Sequence, residues 1–241
     1  MSARGAAAGR EGLRPERRRG KATVKFVISY SCGKDSALAL HRMLQQGHQA
    51  VGLLVMINRE QNRSWFHGVD KPLLEAVSRS LRIPLLCGEC EGEDYAAAME
   101  AALARAKAAG ADAAVFGDID IEDHRRWSSE RCAAAGLEPI FPLWGEKRLA
   151  LVEEVIDLGF KAMIKCVDKS RVDPRLLGAT LSRALVEEIA ASGADPCGEN
   201  GEYHTFVYDG PTFSFPLTVK QGRVIDFGTH AAIDLRLLQF P

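Results

Sequence analysis

The chain has 241 residues, 46% of them hydrophobic, and a formal net charge of −1. This length allows one large domain or two modest ones, and the composition supports a buried core. No apolar run approaches the ~18 residues of a membrane span, so we expect no contact with a membrane. The first 21 residues carry seven Lys or Arg against two Glu. The rest is therefore net acidic, which argues against a nucleic-acid partner because such partners usually require a basic face.

The basic, Ala- and Gly-rich start predicts a disordered tail over residues 1–22. It lacks the apolar centre of a secretory signal. Six cysteines without such a signal are typical of free thiols in a reducing compartment, so we expect a cytoplasmic protein.

Strand-like and helical patterns alternate through the first two-thirds of the chain. The predicted strands are Lys25–Ser29, Ala50–Ile57, Ile83–Cys87, Ala113–Asp118 and Pro139–Pro142, and the predicted helices are Ser36–Gln46, Lys71–Leu81, Asp94–Ala109 and Glu122–Ala135. This alternation predicts an α/β fold with a mostly parallel, doubly wound sheet. Ligands of such sheets bind beyond the carboxyl ends of the strands.

The pattern changes after Trp144. A helix at Lys147–Leu158, a strand at Phe160–Cys166 and a helix at Thr180–Ala191 precede short β segments, with a hairpin turn predicted at Gln221-Gly222. We therefore predict one domain over residues 23–144 and a smaller α+β substrate domain over residues 145–241.

The first strand, the turn after it and the next helix predict a phosphate site. Backbone amides at a helix start, together with the helix dipole, favour anions. The turn adds the hydroxyls of Ser29, Ser31 and Ser36 and the cation of Lys34. The P-loop of kinases is excluded, because Asp35 stands where that motif needs Ser or Thr. A positive φ at Cys32 would be strained, since Cys carries a Cβ atom.

Further polar residues follow other strands. Asp118, at a predicted strand end, suits Mg²⁺ or a ribose hydroxyl, and Asp35 suits Mg²⁺ or the positioning of Lys34. The loop after the second strand offers Trp65 or Phe66 to stack on a ring, with His67 near the phosphates; packing of this loop against the second domain is an equal alternative.

A dense polar cluster precedes the last part of the chain. It contains Glu199, Asn200, Glu202, His204 and Thr205, and the glycines Gly198 and Gly201 permit a tight turn there. Two carboxylates, an imidazole and a hydroxyl at this spacing predict a substrate or metal site.

Ordered motifs carry a family resemblance. The segment Ser31-Cys32-Gly33-Lys34-Asp35-Ser36 resembles the S-G-G-x-D-S loop of the N-type ATP pyrophosphatases (the PP-loop superfamily). Together with Gly117-Asp118-Ile119, Pro142-Leu143-Trp144 and the stretch from Glu199 to Thr205, which matches E-G-G-E-Y-E-T, it makes the chain similar to the diphthine–ammonia ligase family. Six residues depart from that family's usual pattern: Cys32 and Asn200 replace Gly, His204 replaces Glu, and Trp127 replaces an Arg. Asp123 and His124 stand where that family usually has Tyr and Gln.

The resemblance implies a Rossmann-like sheet of the adenine nucleotide alpha hydrolase type, an ATP-binding first domain, and ATP with Mg²⁺ as nucleotide and metal. It implies catalytic roles for Lys34, Asp35, Glu199, Glu202 and His204; nucleotide contacts from Ser29, Ser31, Cys32, Gly33, Lys34, Asp35, Ser36, His67, Gly117 and Asp118; and Mg²⁺ ligands in Asp35 and Asp118.

The implied reaction adenylates a carboxylate, releases pyrophosphate and forms an amide with ammonia. The acceptor is left open, a group on a protein included, because the family has bacterial members and bacteria make no diphthamide. A homodimer is left open as well. The alternatives are a tRNA-modifying sulfur transferase of the PP-loop class and a non-catalytic protein that binds ATP or AMP.

Overall fold

A computed structural model of the protein describes residues 22–65 and 67–238. The predicted basic tail, apart from residue 22, and the predicted stacking residue Phe66 lie outside the described residues. Within the described part, ten strands form two separate sheets, and six α-helices flank them.

The first sheet is built from the first six strands. They are β1 (Lys25–Ser29), β2 (Gln49–Asn58), β3 (Arg63–Ser64), β4 (Leu85–Cys90), β5 (Ala113–Val115) and β6 (Glu138–Ile140). The order β4-β2-β1-β5-β6 is parallel throughout, and the two-residue β3 pairs antiparallel with the end of β2. The predicted parallel α/β sheet is confirmed.

Four helices connect these strands and cover both faces of the sheet. They are α1 (Lys34–Gln45), α2 (Lys71–Leu81), α3 (Tyr95–Ala108) and α4 (Glu122–Ala135). Alternate residues of β1 show the two layers, because Phe26 and Ile28 belong to one apolar cluster and Val27 to the other. This double covering explains the near-continuous apolar runs of the sequence.

The second half of the chain forms an antiparallel sheet with its own helices. Its elements are α5 (Arg148–Asp157), β7 (Lys161–Asp168), a 3₁₀ turn (Pro174–Leu176), α6 (Arg183–Ala191), β8 (Tyr203–Asp209), β9 (Val219–Asp226) and β10 (His230–Leu237). The strand order is β8-β7-β10-β9. A smaller α+β part therefore follows the parallel sheet, as predicted.

The predicted hairpin at Gln221-Gly222 is wrong. Both residues lie inside the continuous strand β9, and the chain reverses after it, where the Phe227 amide donates to the His230 carbonyl at 2.8 Å. A Cβ atom on Gly222 would lie 3.2 Å from the Asp234 carbonyl oxygen, so this glycine serves close strand contact and not a turn.

One apolar core joins the two halves. Leu38 of α1 and Phe206 of β8 belong to the same buried cluster, and the Val207 amide donates to the Cys32 carbonyl at 2.8 Å. This contact places β8 beside the turn that follows β1. The boundary proposed near residue 144 stays a prediction.

None of the helices in residues 22–65 and 67–238 combines the length and apolar character that crossing a membrane requires.

Candidate active site

The turn between β1 and α1 forms the floor of the site. Gly33 is the N-cap of α1 and has no side-chain cap; its amide donates to the Ser31 Oγ at 3.2 Å, and the Ser36 Oγ donates to its carbonyl at 2.9 Å. A Cβ atom on Gly33 would come within 2.7 Å of the His67 ring. The turn is thus held by its own hydroxyls and packed too closely for a larger residue.

Cys32 adopts a positive φ, the conformation that is strained for a residue with a Cβ atom. Its φ is +65°, and its side chain is fully buried. Burial raises the pKa of the thiol to about 12, so the lower pKa typical of a helix start is not found here. Cys32 shapes the turn through its backbone, and its side chain does not line the cavity described below.

The buried Lys34 and the partly exposed Asp35 form an ion pair at the start of α1. The Lys34 Nζ donates to both oxygens of Asp35, at 2.9 and 2.7 Å, and lies 5.7 Å from the centre of the Tyr203 ring. Lys34 is 4% exposed. Burial lowers its pKa, but Asp35, Cys197 and Tyr203 together more than offset this effect, and the pKa stands well above its ordinary value. The lysine is therefore a permanent cation beside the turn.

Thr205 of β8 fastens the phosphate turn to the second sheet. The Lys34 backbone amide donates to the Thr205 Oγ1 at 3.0 Å, across 171 positions of sequence. The Thr205 carbonyl accepts from the His67 Nδ1 at 2.9 Å, which sets the tautomer of that imidazole. One residue of the second half thus fixes two predicted nucleotide-binding residues of the first.

The loop after β5 brings Gly117 and Asp118 to the same place. A Cβ atom on Gly117 would lie 3.0 Å from backbone atoms of Asp35 and Ser36, so glycine permits this loop to lie against α1. Burial raises the pKa of the Asp118 carboxyl; His124, whose Nδ1 is 3.7 Å away, opposes the rise, and Asp35 adds to it.

The loop that carries Glu199 is tightly built. Gly198 has a φ of +71°, and a Cβ atom there would lie 2.8 Å from the Tyr203 carbonyl oxygen. Asp195 accepts from the amides of Cys197 at 2.9 Å and Glu199 at 3.1 Å. Burial raises the pKa of Glu199 to about 7, and the charges of Asp35 and Asp118 add to this rise. A carboxyl group at this pKa can hold or release a proton near neutral pH.

The structure does not bring Glu202 to this site. Its side chain is 2% exposed; it accepts from the Arg171 Nη1 at 2.7 Å and from the Asn200 amide at 3.0 Å. It lines a separate cleft on the other side of the loop, with Arg171 and Asn200. In this position Glu202 holds the loop, and its predicted catalytic role has no support from the lining of the cavity.

His67 and His204 lie side by side at the edge of the cavity, with ring centres 4.9 Å apart. Burial, followed by the charge of His204, lowers the pKa of His67 to about 3. Burial and Lys34 lower the pKa of His204 as well. Both rings are therefore neutral at physiological pH.

These parts enclose a cavity of about 520 Å³. Most of the predicted site residues line it: Ser29, Ser31, Lys34, Asp35, Ser36, His67, Gly117, Asp118, Glu199 and His204. Cys32, Gly33 and Glu202 do not. Trp65 lies beside Tyr95 at 5.5 Å between ring centres and is absent from the lining, so its predicted stacking on a bound ring is not supported.

Sequence reasoning missed the apolar wall of the cavity. This wall contains Tyr95, Met99, Phe116 and Trp127, and the rings of Tyr95 and Trp127 are 5.8 Å apart. Tyr95 is the first residue of α3, and Phe116 directly follows β5, so both stand where strand ends meet the edge of the sheet. Their position after a strand was the signal that could have identified these two residues. The prediction used only the polar residues at these two strand ends.

Asp35 and Asp118 supply the hard oxygen donors that Mg²⁺ prefers. Among residues 22–65 and 67–238, no three His, Cys, Asp or Glu side chains gather as a complete metal site. Asp35 and Asp118 both line the cavity, and the assignment of Mg²⁺ to them stays a prediction.

Comparisons with known proteins agree with this geometry. A sequence model described as the diphthamide synthase N-terminal domain matches residues 24–139, and one described as the C-terminal domain matches residues 147–237. Human diphthine–ammonia ligase is 27% identical, with 90% of this chain and 91% of the relative covered; the zebrafish protein of that name is 25% identical, with 90% and 94% covered.

A solved structure titled as a predicted subunit of tRNA methyltransferase from Methanocaldococcus jannaschii is 13% identical, with a TM-score of 0.43, and covers 78% of this chain and 98% of that one. The family matches span both halves of the chain and include the turn, the loop after β5 and the Glu199 loop. The chain belongs to the diphthamide synthase family.

Proposed function

We propose that the chain is an ATP-dependent ligase that adenylates an acceptor carboxylate and then joins it to ammonia as an amide. Relatives named diphthine–ammonia ligase support this reaction. The observation that carries the proposal is the convergence of the α1 start, Lys34, Asp118 and Glu199 on one cavity.

The first step requires that the site bind the triphosphate of ATP. The helix start and the buried cation of Lys34 favour the β and γ phosphates, while the hydroxyls of Ser31 and Ser36 are at hand as donors. An acceptor oxygen attacks the α-phosphorus, and the bond from that phosphorus to pyrophosphate breaks. Lys34 stabilises the negative charge that develops on the leaving pyrophosphate.

Asp35 and Asp118, which both line the cavity, would hold Mg²⁺. The ion, when bound, would neutralise phosphate charge and align the leaving group. Asp35 also keeps Lys34 in place, so its two predicted roles are compatible.

The second step joins ammonia to the activated carboxyl. Ammonia attacks the carbonyl carbon of the acyl-adenylate, AMP leaves, and one proton is released. Glu199, at the edge of the phosphate site and with its raised pKa, suits binding of ammonium and acceptance of that proton. His204, which is neutral and lies beside His67, is a second group that can contact the acceptor.

The sulfur transferase alternative is not favoured. Such an enzyme needs an accessible thiol at the nucleotide site, yet none of the six cysteines, all of them within the described residues, lines the cavity. Since all six are unpaired thiols, we keep a cytoplasmic location as part of the proposal.

Replacing Lys34 tests the proposal. With Mg²⁺ and ATP in a calorimeter, we expect Lys34→Ala to weaken ATP binding by at least ~10-fold, because a buried charge-assisted contact is lost. Lys169→Ala removes a surface ion pair with Asp226 and serves as the matched control. The products are then followed with ammonium chloride and a protein that carries diphthine. Formation of ADP in place of AMP and pyrophosphate, or equal ATP affinity in the two variants, would overturn the proposal.

A further inference from the structure

Arg148, the first residue of α5, joins two loops that reach the cavity from opposite halves of the chain. Its Nε and Nη2 donate to the two oxygens of Asp120 at 2.8 and 2.7 Å, and its Nη1 donates to the Asp195 Oδ2 at 2.6 Å. The Asp195 side chain is only 9% exposed. The guanidinium thus uses three donors on two carboxylates, in the fork geometry that Arg alone provides.

Each of these carboxylates belongs to a loop with a cavity residue. Asp120 lies two positions after Asp118 in the loop that follows β5. Asp195 accepts from the Glu199 amide, and so it fixes the backbone from which the Glu199 side chain reaches the cavity. The chain of contacts Asp120–Arg148–Asp195 therefore connects the Asp118 loop with the Glu199 loop.

We propose that Arg148 is a positioning residue of the ligation reaction, which sets the separation of Asp118 and Glu199 across the cavity. This inference rests on the proposed function, in which Asp118 acts at the phosphates and Glu199 at ammonia. Arg148 itself is absent from the cavity lining and acts only through the two loops. Because the loops come from different halves, the same contact couples the nucleotide side to the acceptor side.

A lysine cannot replace this residue. The single ammonium group of a lysine can bind one of the two carboxylates well, but it leaves the other carboxylate without a hydrogen-bond donor. The nearly buried Asp195 carboxylate would then lose its hydrogen bond from the guanidinium. We expect the Glu199 loop to be held less firmly as a result.

The first test measures the loop and needs no acceptor. Backbone hydrogen exchange is compared in wild type, Arg148→Ala and Arg183→Ala. Arg183 is the matched control, because it too binds two carboxylates, Glu153 and Asp157, on the surface that joins α5 and α6. We expect the amides of Cys197 and Glu199 to exchange at least ~10-fold faster in Arg148→Ala alone. Unchanged exchange at both amides would overturn the proposal, whatever the acceptor.

The second test measures the reaction with ATP, ammonium chloride and a diphthine-bearing protein. We expect Arg148→Ala to lower the kcat of amide formation and raise the KM for ammonium, each by ~10-fold or more, with the Kd of ATP changed less than about threefold. Arg148→Lys recovers little, whereas added guanidinium ion restores part of the rate to Arg148→Ala.

The double variant separates positioning from mere structural support. In an enzyme that already carries Glu199→Gln, Arg148→Ala should cost clearly less than it does in wild type, because part of the effect of Arg148 is exerted through Glu199. Fully additive losses, or an Arg148→Ala enzyme equal to Arg183→Ala, would overturn the inference. If wild type forms no AMP with this acceptor, diphthine is excluded as the acceptor, and the exchange test still decides the role of Arg148 in the loop.

Discussion

Glu199 shows how the site changes the chemistry of a single residue. Three features raise the pKa of this carboxyl group, namely its burial and the charges of Asp35 and Asp118. Ionisation of Glu199 is therefore harder in the folded protein than in the unfolded chain, which ties its protonation to the stability of the protein.

Replacing Glu199 with Gln tests this link. The pKa of Glu199 is about 7 in the folded protein and 4.5 without the fold, so its ionisation lowers the free energy of unfolding progressively between those pH values. We expect Glu199→Gln to be more stable than wild type by ~1–2 kcal/mol at pH 8, and equal to it below pH ~4. Urea unfolding at both pH values measures this, and a constant difference across pH would contradict it.

Cys32 offers a test of backbone strain. A left-handed conformation costs a residue with a Cβ atom ~1–2 kcal/mol, and glycine avoids that cost. We expect Cys32→Gly to unfold at higher urea than Cys32→Ala, with a free energy of unfolding larger by ~0.5–1 kcal/mol after the extra chain entropy of glycine is subtracted. At an ordinary helical position, Ala is more stable than Gly. A Cys32→Ala variant more stable than Cys32→Gly would therefore show that the backbone of the turn changes its conformation and relieves the strain.

At the scale of elements, the loop after β5 depends on its contact with α1. Gly117→Ala places a methyl group 3.0 Å from backbone atoms of Asp35 and Ser36, which cannot move without displacing the helix start. We expect a loss of ~1–3 kcal/mol in stability and weaker ATP binding, measured by thermal unfolding with and without Mg²⁺ and ATP.

Gly52→Ala in β2 is the control for that change. A Cβ atom there meets its neighbours at 3.6 Å or more, which is ordinary contact. Its stability should stay near that of wild type, and an equal loss in both variants would show that the close approach of Gly117 is not the cause.

The elements also show what a sequence can reveal about such a site. Lys25–Ser29, Lys71–Leu81 and Glu122–Ala135 have the bounds that periodicity and capping residues predict, because local signals decide them. The hairpin at Gln221-Gly222 was wrong because only tertiary packing distinguishes a turn glycine from one that approaches Asp234 closely. The contacts of Glu202 and Arg148 could not be read from the sequence for the same reason: their partners are 31, 28 and 47 positions away along the chain.

At the scale of the whole molecule, the two halves are joined by contacts that neither half can form without the other. Besides the core that joins α1 to β8, the end of α2 binds the segment before β9: the Ser80 Oγ donates to the Phe215 carbonyl at 2.5 Å, and the Ser214 amide donates to the Ser80 carbonyl at 2.9 Å. Separation of the halves would expose the apolar surface of the shared core to water and break these hydrogen bonds.

We therefore expect a fragment of residues 1–144 not to unfold cooperatively. Its near-ultraviolet circular dichroism should lack fixed aromatic signals, and its urea transition should be broad, whereas the full chain gives one sharp transition. Mixing with a fragment of residues 145–241 should restore the sharp transition. A cooperative transition of the isolated first fragment would show that the parallel sheet is independent of β8.

The wall of the cavity also gives the protein an optical property. The three tryptophans are all described, and Trp127 is the one whose indole lines the cavity; Trp65 lies beside Tyr95, and Trp144 beneath the guanidinium of Arg125. Indole fluorescence depends on the polarity of its surroundings, so whatever displaces water from this wall changes the light that Trp127 emits. The chain therefore carries its own label-free reporter of occupancy, and compounds can be screened as acceptors by emission before any product is known.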